Sequence, residues 1–208
     1  MSEFNGFPRE GRTFFRQLAR HNNRDWFQAH KDVYERACRE PMQQLVAALA
    51  AKGGGERTKV SRINRDVRFS RVKSPYRTYI AAGVGGNYVS FSPTGLYVGA
   101  GVFMPEPPAL ERMRKAIHGK PGAALERIVA VLRRKGYQVE THERLMSAPR
   151  GYPADHPRIE LLRMKDLHAG KTFKKEAWIS TPKALVHVRR AIKDLKPLAD
   201  WIRSHVGR

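Results

Sequence analysis

The chain is poor in cysteine, short of acidic residues, and without a long apolar run. Cys38 is the lone thiol, so no disulfide can close within the chain, which suits a reducing compartment. The longest apolar stretch, Leu45 to Ala51, falls far short of the roughly 20 residues a membrane-spanning helix needs. The opening residues, Met1-Ser2-Glu3-Phe4-Asn5-Gly6-Phe7-Pro8, have neither a basic start nor an apolar segment. These absences predict a cytoplasmic protein with no membrane partner. Repeats, low-complexity tracts and linkers are also missing, so the 208 residues read as a single globular domain over 1–208. Its helical N-terminal part covers 1–55 and its α+β part 56–208.

Several chemical signatures are missing too. No Ser, Thr or Cys lies in a nucleophile elbow or triad pattern. Gly83-Val84-Gly85-Gly86 lacks the strand–loop–helix setting of a phosphate loop and reads as a hairpin connection. His142, His156 and His168 have no metal-ligand spacing, and His156 with Glu160 at i, i+4 is the best metal pair on offer. The sequence therefore calls for no metal and no cofactor.

Positive charge is what the chain has in excess. Forty Lys and Arg against nineteen Asp and Glu leave a formal charge of +21, which attracts polyanions over several ångströms of solvent. A phosphate-rich polyanion, nucleic acid first, is the partner this balance favours.

Local patterns predict an α+β fold: an N-terminal helical hairpin, a mainly antiparallel sheet with helices over one face, and a C-terminal helix. Phe14, Phe15 and Leu18 recur at helical spacing, and His21-Asn22-Asn23 suits the end of one helix and the cap of the next. Pro41 marks a helix restart. Arg57 to Phe69 reads as extended, with Arg62, Asn64, Asp66 and Arg68 on one face, Ile63 inward, and Arg65 a misfit on the buried side. Tyr88–Ser92, the turn Pro93-Thr94-Gly95 and Leu96–Met104 form a hairpin, in which Gly99 and Gly101 signal a bulge or the close approach of another backbone. Tyr137 to Glu140 suits a short strand, Leu161 to Phe173 is ambiguous between helix and strand, Thr181 caps the last helix, and Pro197 should kink or restart it.

The chain is organised around Arg62 to Arg77. From Arg57 to Arg77 there are eight basic residues and one acid, Asp66, a balance of +7. Charges this dense repel unless Asp66 pairs with an arginine or an external anion sits among them. Arginine suits the second role, since its planar fork grips a phosphate or carboxylate with two parallel hydrogen bonds. The candidate ligand-binding set is Arg62, Arg65, Asp66, Arg68, Lys73, Tyr76 and Arg77, with Asp66 the one candidate for a catalytic base or orienter and Tyr76 offering a hydroxyl or a ring face.

Arg62-x-x-Arg65-Asp66-x-Arg68-Phe69, followed by Lys73 and Tyr76, resembles the signature of the domain of unknown function 2461 family. The likeness extends to Asn22-Asn23-Arg24-Asp25-Trp26-Phe27, Pro149-Arg150-Gly151-Tyr152, Asp155-His156-Pro157 and the ending from Pro197-Leu198 to Trp201. It implies a fold shared over nearly the whole chain and no particular reaction. Val72 stands where the family pattern has Asp or Asn, which leaves Asp66 without a second acid for metal-dependent phosphodiester chemistry.

Three readings follow. The segment binds a phosphate-rich ligand such as nucleic acid, or it grips a phosphorylated or carboxylated small molecule in an enzyme, or it is a structural charge network with no ligand. A concave pocket holding Asp66 and the arginines favours the enzyme, and a flat basic face favours nucleic acid.

Overall fold

Period-two segments of Val, Tyr, Phe and Gly punctuated by turn residues build the sheet, and period-3.6 segments build the helices around it. In the computed structural model, which describes residues 3–51, 58–66, 68, 73–174 and 176–207, the strands are β1 (Lys59–Val60), β2 (Ile80–Val84), β3 (Asn87–Ser92), β4 (Gly95–Val102), β5 (Gln138–Glu140) and β6 (Leu167–Lys174). They form one antiparallel sheet in the order β1-β2-β3-β4-β6-β5. The helices are α1 (Arg9–Arg20), α2 (Arg24–Ala29), α3 (Lys31–Tyr34), α4 (Glu40–Ala50), α5 (Pro107–His118), α6 (Pro121–Arg134), α7 (Ile159–Leu162) and α8 (Lys183–His205). The protein is α+β and ends in a helix, as its sequence predicts.

The described chain divides into two compact units, Met1–Val98 with Thr172–Arg190, and Gly99–Lys171 with Ala191–Arg208. In the first, α1 buries Phe14, Phe15 and Leu18. Asn23 caps α2 by accepting from Trp26 N–H at 2.9 Å, as the interruption at His21-Asn22-Asn23 predicts. A π-helical turn, Glu35–Arg39, joins α3 to α4, and Pro41 lies in the first turn of α4. Proline has no N–H for the carbonyl four residues back, so a wider turn before it is the local solution. Phe7 stacks on Phe91 with ring centroids 4.3 Å apart, and Phe7, Phe15 and Phe91 are fully buried. Burial of each ring contributes about 1.5–3 kcal/mol.

Strands β2 and β3 pair from Ile80↔Phe91 to Val84↔Asn87. The two residues between them, Gly85 and Gly86, have φ of 54° and 80°. Positive φ at both central positions is the hairpin turn whose twist matches that of its strands, so the glycine run is a connection and not a phosphate loop. The extended segment is shorter than its pattern suggests: β1 covers only Lys59–Val60. Beyond it one bridge pairs Asn64 with Tyr76. Arg57, Val67, Phe69, Arg71 and Val72 lie outside the described residues.

The second unit packs α5 and α6 with β5. Met113, Ile117, Leu125 and Leu132 are buried to within about 1%, and Trp201 Nε1–H donates to the Pro121 carbonyl at 3.0 Å. Leu161 to Phe173, ambiguous in sequence, divides into the end of α7 and most of β6. Helix α8 does not restart at Pro197 but runs through it. Leu195 and Leu198 flank the proline at zero exposure, and burying both offsets the roughly 3 kcal/mol that an interior proline costs.

Candidate functional site

The basic motif is held as two short limbs. Arg65 N–H donates to the Pro75 carbonyl and Arg77 N–H to the Ile63 carbonyl, both at 2.8 Å. The Asn22 side chain then grips Tyr76 from both sides, Nδ2 donating to its carbonyl and Oδ1 accepting from its N–H, each at 3.0 Å. The Tyr76 ring stacks on Phe27 with centroids 4.2 Å apart and is only 6% exposed. Tyr76 is thus the anchor that fastens the motif to α2, and its ring face is taken by Phe27 rather than offered to a ligand.

Outward of that anchor the expected alternation holds over the described residues. Arg62, Asn64, Asp66 and Arg68 are exposed, Ile63 is buried, and Arg65 is half-buried. Lys73 is exposed and Arg77 half-buried. Asp66 and Arg68 form a two-pronged pair, Arg68 Nε to Oδ1 at 3.0 Å and Nη2 to Oδ2 at 2.6 Å. Arg68 N–H adds a third bond to Oδ1 at 3.2 Å. Arg68, chiefly by its side-chain bonds, and more weakly the nearby Arg62 charge hold the Asp66 carboxyl below the usual carboxylate range. A carboxylate so engaged is a poor proton acceptor at neutral pH.

Directly after Arg77 the chain enters a shallow groove of about 460 Å³ lined by Thr78, Tyr79, Tyr88, Ser90, Tyr97 and Thr172, among others. None of Arg62, Asp66 and Arg68 lines it. Tyr88 is 41% exposed and meets Tyr97 edge-to-face at 6.0 Å. Burial, reinforced by the neighbouring Tyr79, pushes the Tyr88 hydroxyl up to about 12, against the opposing effects of a Ser90 hydrogen bond and the Arg77 charge. Tyrosine rings for stacking and hydroxyls for hydrogen bonding therefore adjoin the arginine motif along the chain. Composition did not single out this groove, because its residues come from the segment before β2, from β3 and β4 with the turn between them, and from β6, and form no local motif.

The structure also assembles a cluster that chain spacing concealed. His142, Asp166 and His168 offer ligand atoms all within 4.8 Å of one another. Strand pairing explains it: Glu140↔His168 is the end of the β5–β6 ladder. Two residues further along each chain, the same antiparallel register sets His142 opposite Asp166. The one visible signal was Asp166-x-His168, since i and i+2 share a strand face. By contrast, the His156 and Glu160 pair is engaged elsewhere. His156 Nδ1 accepts from Arg158 N–H at 3.0 Å, and Glu160 pairs with Arg144 and Arg163.

An α+β chain whose basic motif is anchored to an N-terminal helical hairpin is the class these features define. The chain belongs to the family described as "Conserved hypothetical protein (DUF2461)", which matches residues 10–201. No curated protein and no solved structure matches it.

Proposed function

We propose that this protein binds single-stranded nucleic acid, with the arginine motif taking the phosphates and the adjoining tyrosine groove taking bases. The observation that carries the reading is the continuity of exposed Arg62, Arg68 and Lys73 with the groove of Tyr79, Tyr88 and Tyr97 through Arg77-Thr78-Tyr79. Phosphate contacts supply a sequence-independent, salt-sensitive affinity. An aromatic platform adds about 1–3 kcal/mol per stacked base and demands unpaired bases. The net charge of +21 adds long-range attraction for the same ligand. The enzyme reading draws less support, because Asp66, its candidate base, already accepts three hydrogen bonds from Arg68.

The test is a fluorescence-anisotropy titration of short single-stranded and duplex oligonucleotides over a range of salt. Binding is expected at low ionic strength, with preference for single strands, a steep fall with salt, and weakening in Arg62→Ala and in Tyr88→Ala. Absence of affinity at low ionic strength overturns the reading. Affinity for one small phosphorylated or carboxylated anion in place of oligonucleotides replaces it with the enzyme reading.

A further inference from the structure

Asp166 is 2% exposed and, among the described residues, is the buried charged side chain. A buried carboxylate needs a positive partner. Its ion-pair partners are two imidazoles, His142 Nδ1 at 3.3 Å from Oδ2 and His168 Nδ1 at 3.3 Å from Oδ1. Neither has the permanent charge of a lysine or arginine. The two contacts end on different carboxylate oxygens, so the carboxylate lies between the two rings. One ligand atom from each of the three residues lies within 4.8 Å of the others. The rings of His142 and His168 also lie 4.6 Å apart, tilted at 35° to each other.

We infer that His142, Asp166 and His168 form a site for a divalent transition-metal ion. Two imidazoles and one carboxylate are the donor set of borderline ions such as Zn²⁺ or Fe²⁺ rather than of Mg²⁺ or Ca²⁺. Three protein ligands leave at least one coordination position for water or a substrate oxygen. The His142 side chain is 52% exposed, which gives the ion an entry path from solvent. The carboxylate is oriented from behind: His142 N–H donates to Asp166 Oδ1 at 3.0 Å, and Asp166 N–H donates to Thr141 Oγ1 at 3.3 Å. Gly101 packs against the His168 backbone, where a Cβ would come within 2.5 Å of His168 Cα. The largely exposed Phe103 ring meets His142 edge-to-face at 4.4 Å. The site involves no residue of the arginine motif or the tyrosine groove, so it stands or falls apart from the nucleic-acid reading.

The experiment uses the tag-free full chain after chelator treatment, titrated calorimetrically with Zn²⁺ and spectroscopically with Co²⁺. One ion per chain is expected, with visible Co²⁺ absorption bands of low-symmetry coordination. His142→Ala removes an exposed ring and so spares the core. It should weaken Zn²⁺ affinity by more than the roughly 10–100-fold that loss of an outer-shell partner costs. His156→Ala, which alters the other described His pair, stacked on His118 at 4.8 Å, should leave affinity unchanged. Imidazole nitrogen spectra of the unsubstituted chain give a second readout: Zn²⁺ should shift the resonances of two histidines. No Zn²⁺ binding, unchanged affinity in His142→Ala, or shifts at His118 and His156 instead would each overturn the assignment.

Discussion

Asn22 and Tyr76, 54 residues apart, are joined by two hydrogen bonds of 3.0 Å that use both ends of one side-chain amide and both backbone polar groups of one residue. An amide is the side chain that supplies a donor and an acceptor in this geometry, which explains why the residue before the α2 cap is an asparagine. Asn22→Ala leaves a part-buried N–H and C=O without that partner. It should lower stability by about 1–3 kcal/mol, read from urea unfolding. Asn22→Asp keeps the acceptor and loses the donor, and should fall between the two.

Removing the acid from the motif should help its ligand. Asp66 occupies the guanidinium fork of Arg68, so Asp66→Asn frees that fork for phosphate and raises the local positive charge. Oligonucleotide affinity should therefore rise in Asp66→Asn. It should fall in Arg68→Ala, with the salt slope reduced by about 1. If Asp66 oriented or activated a ligand, its neutralisation would weaken binding instead, and the salt-dependent titration separates the two.

Much of this architecture is written locally. The caps at Asn23 and Thr181, the hairpin glycines and the alternation around Arg62 to Asp66 depend on near neighbours in sequence, and so they were legible. The basic motif was legible as charge, but the role of Tyr76 was not. Whether a tyrosine points at ligand or at Phe27 depends on a contact 49 positions away. The tyrosine groove and the His142–Asp166–His168 cluster are set by strand pairing across long separations, which no spacing rule records. The last helix does not restart at Pro197 for a related reason, because the burial of Leu195 and Leu198 outweighs a local helix-breaking preference.

Alkaline titration should report the groove. The Tyr88 hydroxyl is shifted from 10.0 to about 12, mainly by burial. Its protonated form is thus favoured in the folded chain. The stability it contributes is complete below pH 10 and is lost as pH rises from 10 to about 12. Ultraviolet absorbance should show late tyrosine ionisation in this window, and Tyr88→Phe should remove it. Tyr34, buried and raised further still, should remain as a later step in that variant. A Tyr88 that titrates near the ordinary tyrosine value of 10.0 would mean that the groove is wetter than its geometry indicates.

Two glycines of the sheet should respond oppositely to the same substitution. At Gly101 an added methyl meets His168 Cα, His168 Cβ and the Leu167 carbonyl, each at 2.5 Å. These atoms belong to the neighbouring strand and cannot swing away as a long side chain would. Gly101→Ala must push β4 from β6, costing about 1–3 kcal/mol by overpacking. At Gly83 the nearest atom is the Asn87 carbonyl oxygen at 4.0 Å, an ordinary contact. Gly83→Ala should be neutral or stabilising by up to about 1 kcal/mol, because alanine restricts the unfolded chain. Urea unfolding of the pair measures the stability difference, and Zn²⁺ titration of the folded variants adds a positional test. Displacing His168 should weaken the ion's binding in Gly101→Ala and leave it intact in Gly83→Ala. Equal affinity in both would separate the close approach at Gly101 from the histidine cluster and reduce that glycine to a packing requirement.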